Sequence, residues 1–66
     1  MNPLDKFICA VYVDLDITSD NIANRDVERQ RFCDEVRRRT ARNDSNEDIV
    51  RRLITIRKNG KLPTIR

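Results

Sequence analysis

The stretch SNEDIVRRLITIRKNGKLP, residues 45–63, constrains the fold more than any other, because it carries a helix start, a two-faced middle and a stop. Ser45 with Asp48 three residues on is a near capping box, and Glu47 and Asp48 suit the positive end of a helix dipole. Asn59-Gly60 supplies a left-handed exit, and Pro63 forbids continuation. At 100° per residue, Ile49, Val50, Leu53, Ile54 and Ile56 gather on one side. Arg51, Arg52, Thr55 and Lys58 gather on the other.

Upstream, Asn2-Pro3-Leu4-Asp5 combines an N-cap residue, proline at the first helical position and an acid in the first turn. A helix over 3–15 would align Leu4, Phe7, Ile8, Val11, Tyr12 and Leu15. The same region also alternates: Val11, Val13, Leu15 and Ile17 interleave with Tyr12, Asp14 and Asp16, which is the strand period. Six aligned positions and a cap outweigh four alternations, so the expectation is a helix, with a strand near Val11–Ile17 as the alternative. Thr18-Ser19-Asp20-Asn21 reads as a break, since these side chains bond local backbone. A second helix is expected from near Ala23 to Ala41, with Phe32, Cys33, Val36 and Thr40 as a narrow apolar stripe. Ile22 extends that stripe and Val27 points away from it. The short connection 42–45 makes the second and third helices neighbours. In the tail, Leu62 and Ile65 are expected to fold back onto the core. The fold class implied is all-α: one small domain over residues 1–66, with three helices and a short C-terminal arm. The alternative is an α+β, winged-helix-like arrangement.

A chain of 66 residues with two Phe, one Tyr and no Trp builds a small aliphatic core, a size at which an oligomer interface often assists. Charge is uneven along it. The first 24 residues hold one base against four acids, and the remainder thirteen against seven. After Asp48 there are six bases and no acid. Arginine outnumbers lysine eleven to three, which favours bidentate contacts to phosphate or carboxylate. Such asymmetry points to a polyanion or an acidic protein surface as partner. Cys9 and Cys33 each lie in apolar runs, where a free thiol behaves as a small hydrophobe. The first apolar run lacks a secretory leader's flanks and is too short and too acidic to span a bilayer. A reduced cytoplasmic setting is expected, with no membrane partner.

Val11-Tyr12-Val13-Asp14-Leu15-Asp16-Ile17-Thr18 resembles the first motif of haloacid-dehalogenase-type phosphatases, an apolar strand followed by Asp-x-Asp-x-Thr. The resemblance would make Asp14 a nucleophile and Asp16 a general acid. That family also needs a parallel sheet, a later lysine and an acidic pair for magnesium, for which this length leaves no room. With no histidine, a single glycine and two cysteines, imidazole catalysis, a phosphate-binding glycine loop and a four-ligand zinc site all lack their residues. The expectation is a non-catalytic protein without cofactor or metal.

A helix ending near Ala41, a polar turn and a capped helix with a basic outer face fit a helix-turn-helix arrangement. The last 35 or so residues also resemble winged helix-turn-helix regulators. There a recognition helix, here EDIVRRLITIRKNG, runs into a short strand, here Lys61–Arg66; no glycine marks the inter-helix turn and no second wing strand follows. The nucleic-acid-binding residues implied are Arg51, Arg52, Thr55, Lys58, Lys61 and Arg66. The arginines would meet guanine edges or phosphate, Thr55 a base methyl or phosphate, and the lysines phosphate. Arg37–Arg39 and Arg42 would add phosphate contacts. The competing expectation is a protein-interaction module or accessory subunit that binds an acidic protein surface or self-associates.

Overall fold

The structure, a computed structural model, describes residues 2–63. Four helices follow one another: α1 (Pro3–Leu15), α2 (Ser19–Asn24), α3 (Asp26–Thr40) and α4 (Asn46–Lys58). Each start has a local cause. The Asn2 side chain accepts the Asp5 amide at 2.9 Å, with Pro3 behind it, and launches α1. Thr18 Oγ1 accepts the Asn21 amide at 3.3 Å and launches α2. Ser45 Oγ accepts the Asp48 amide at 3.2 Å and launches α4. These caps satisfy amides that the first turn leaves without partners.

The all-α expectation holds, and the three long helices lie close to their expected places. The region expected to be a break and then one helix is different. Thr18–Asn21 is the capped start of α2, and Arg25, extended at φ −117° and ψ 121°, separates α2 from α3. Backbone bonds nevertheless continue across the corner, from the Arg25 amide to Asn21 O and from the Arg29 amide to Arg25 O, both 2.9 Å. The corner lets Ile22 enter the core completely, while Val27, one residue into α3, stays 78% exposed.

The strand alternative fails because burial follows the helical period. Tyr12, which alternation groups with Asp14 and Asp16, is buried beside Val11, and Val13 is left 47% exposed. Among the described residues there is no strand. The Asp-x-Asp segment consequently lies at a helix end, with Asp14 inside α1 and Asp16 as its left-handed C-cap at φ 54°. The strand that a phosphatase motif requires is missing there.

Ile8, Val11, Tyr12, Ile17, Ile22, Phe32, Cys33, Val36, Ile49, Leu53 and Ile56 form the core. Phe32 is its largest fully buried side chain. Helix α3 packs against each of the other three helices, whereas α1 and α2 do not pack on each other. Both cysteines are free thiols. No described helix is long and apolar enough to cross a membrane. Helix α4 ends as its sequence implies, with Gly60 at φ 70° and bonds from the Gly60 amide to Arg57 O and from the Lys61 amide to Ile56 O. In the arm, Leu62 rests half-buried against the core; Ile65 and Arg66 lie outside the described residues.

A candidate docking face on the fourth helix

The capped start and glycine exit of α4 fix its rotation, and the core takes Ile49, Leu53 and Ile56. Val50 and Ile54, one turn apart, sit at the edge of this apolar arc and are half-buried. Val50 still touches the core, whereas Ile54 leans into a shallow surface groove that it shares with Glu47, Val50, Arg51, Thr55 and Lys58. The apolar side of α4 is therefore only partly committed to the interior.

The six expected nucleic-acid contacts are distributed as follows. Arg51 is exposed and held within its own helix, Nη2 to Glu47 Oε1 at 2.9 Å and Nη1 to Asp48 Oδ1 at 3.8 Å. Arg52 turns towards α1, where Nε and Nη2 both reach Asp5 Oδ1, at 3.1 and 2.8 Å. Thr55 donates its hydroxyl to Arg51 O at 3.0 Å. Lys58 and Lys61 are exposed and make no ion pair among the described residues. Arg66 lies outside the described residues. The structure thus brings Arg51, Thr55 and Lys58 together on one groove and turns Arg52 aside.

Other arginines are similarly engaged. Arg37 bridges α3 to the start of α4, donating to Asp34 Oδ1 at 2.7 Å, Asp44 O at 3.1 Å and Asn46 Oδ1 at 2.6 Å. Glu35 is clasped by Arg38 and Arg39, whose hydrogen bonds hold its carboxyl far below the usual carboxylate range, at about 2. Arg39 also reaches Asp14 Oδ2 at 2.7 Å. Arg42 forks onto Asp44, whose pKa is lowered as a result. Arg57 reaches Asp20 Oδ1 at 3.2 Å.

A second groove, beside the first, was not foreseen from sequence. It joins Asn2, Pro3 and Leu4 at the start of α1 to Arg42, Arg51 and Arg52, with Asp44 and Asp48 on its wall. Arg51 belongs to both grooves, so bases, acids and aliphatic side chains alternate across the outer edge of α4. Neither cysteine offers an activated nucleophile: burial raises both thiols, that of Cys33 to about 11. No group of three or more acidic or thiol ligands comes together among the described residues. No protein-family model, curated protein or solved structure matches the chain.

Proposed function

We propose that this protein is a small non-catalytic binding module that docks an acidic partner protein along the outer edge of α4. The observation that carries the reading is the pair Val50 and Ile54, half-exposed between Arg51, Thr55 and Lys58. An aliphatic anchor supplies desolvation energy, and a basic rim supplies orientation and on-rate. A helix-turn-helix reader presents the first turn of its recognition helix to the bases. Here that turn holds Glu47 and Asp48, whose carboxylates would face a continuous phosphate backbone unfavourably, whereas a protein partner can set its acids at the Lys58 end of the groove and an apolar side chain on Ile54.

Nucleic acid is the second reading, motivated by Lys58 and Lys61 at one end of α4, which make no ion pair among the described residues. Two lysines would release few counterions, so log K for duplex DNA would fall by only about 2 per decade of salt. One titration separates the readings. A labelled peptide with Asp and Glu around helically spaced leucines, and a labelled DNA duplex, are each followed by anisotropy at low and physiological salt. The peptide should bind. Ile54→Asp or the pair Arg51→Glu/Lys58→Glu should remove that binding while circular dichroism shows the helices retained. Tighter binding of the duplex than of the peptide at both salts would overturn the proposal, as would peptide binding indifferent to these substitutions.

A further inference from the structure

We infer that the outer face of α1 is a self-association surface, on which α1 of a second copy docks antiparallel about a two-fold axis at Ala10. Two of the large hydrophobic side chains left exposed by the fold lie on this face, Phe7 at 38% and Val13 at 47%. Pro3, Lys6, Phe7 and Ala10 line one shallow groove there, and Asp14 continues the same face a turn later. Positions 3, 6, 7, 10, 13 and 14 follow the three- and four-residue steps that keep side chains on one side of a helix. Ala10, the smallest, is at the centre and permits close approach of two helix axes, towards the lower end of the 8–10 Å range.

The order of chemistry along this face identifies the occupant. Lys6 and Asp14 lie four residues either side of Ala10, about 6 Å along the axis, and Phe7 and Val13 lie three, about 4.5 Å. A two-fold axis at Ala10 therefore brings Lys6 level with Asp14 of the second copy, Phe7 level with its Val13, and Ala10 onto Ala10. A parallel pairing would set Lys6 against Lys6. The charges are available for this. Among the described residues Lys6 makes no ion pair, and Asp14 uses Oδ2 for Arg39, leaving Oδ1 to accept. The pairing is isologous, so both copies contribute the same patch and the assembly closes at two. A face of six residues covers well below the ~800 Å² per partner of standard stable complexes, which makes the dimer a weak one. None of these residues belongs to the groove around Val50 and Ile54, so the inference stands apart from the α4 reading.

Sedimentation velocity on the full chain from about 10 μM to about 1 mM tests it, this being the range in which a weak dimer dissociates. The mean mass should climb towards twice the monomer, and amide resonances of Lys6, Phe7, Ala10 and Val13 should shift with concentration. Ala10→Glu places like charges on the axis and should weaken association about tenfold or more. Lys6→Asp should also weaken it, and Lys6→Asp combined with Asp14→Lys should restore it; Arg39 keeps Glu35 as a partner in that variant. A monomer at every concentration would overturn the inference. So would a dimer that Ala10→Glu leaves intact while its melting curve is unchanged, or a charge swap that fails to restore association.

Discussion

Arg52→Met should destabilise the fold, and the structure sets how far. The Arg52 guanidinium makes a bidentate contact to Asp5, with Nη2 at 2.8 Å from both carboxylate oxygens. Its side chain is 41% exposed, but that of Asp5 is only 14% exposed. Fully exposed pairs contribute about 0.2–1 kcal/mol, and bidentate geometry with one covered partner puts this pair near or slightly above the top of that range, at about 1 kcal/mol. Removing only the arginine also leaves a largely covered carboxylate without its partner, which raises the expected loss to about 2 kcal/mol. Asp5→Ala should lose about as much, because Asp5 sits in the first turn of α1 and interacts with the helix dipole. For a chain of 66 residues, with total stability of roughly 3–10 kcal/mol, either change is large. The assay is urea unfolding of wild type, both single variants and the double variant, followed by circular dichroism. The double variant should recover about 1 kcal/mol relative to the sum of the singles. A coupling within about 0.3 kcal/mol of zero would refute the claim that this pair ties α1 to α4.

Backbone conformation makes two paired predictions with opposite signs. Ala41 closes α3 in the left-handed region at φ 55°, so Ala41→Gly should stabilise by about 1 kcal/mol and raise Tm by about 4–8 °C. Gly60 has φ 70° and open space where a Cβ would stand, so Gly60→Ala should lose about 1 kcal/mol through backbone strain alone. Glu35 gives a pH prediction. Its folded pKa, about 2, lies below the unfolded carboxylate value, so its stabilisation is complete above that unfolded value and is lost as pH falls towards 2. Glu35→Gln should therefore lower Tm at neutral pH, and the gap to wild type should close as the solution is acidified through that window. For the thiols, iodoacetamide at mildly alkaline pH should modify half-buried Cys9 before buried Cys33, with the difference abolished in denaturant. Equal native rates, read by mass spectrometry, would contradict the placement of Cys33.

What could be read from sequence was what is decided within a few residues. The Asn2 and Ser45 caps, the Gly60 exit and the apolar spacing of α1 and α4 are local, so their helices appear close to the expected places. Thr18 has the same chemistry as those caps, but a cluster of capping residues does not say whether a helix or a loop follows. Six residues of α2 are settled by burial of Ile22, a tertiary event. Periodicity groups Ile54 with the inward side chains, yet it sits at the edge of the arc, where the neighbouring helices decide how much of it is covered.

Charge is the feature least encoded in any local window of the sequence. The acidic start and basic remainder of the chain suggested an external polyanion. Among the described residues, Asp5 meets Arg52 at a separation of 47 residues, Asp14 meets Arg39 at 25, and Asp20 meets Arg57 at 37. Each of these pairs links α1 or α2 to α3 or α4. Much of the gradient is therefore neutralised across helix packing, and no local window of sequence contains both partners. The same pairing draws Arg52 towards α1 and Arg57 towards α2, while Lys58 and Lys61 make no ion pair among the described residues. A charge gradient argues for an outside partner only through the charges left after such internal pairing. On α4 those are few, and they lie close to the half-buried Val50 and Ile54, which suits a protein surface better than a phosphate backbone.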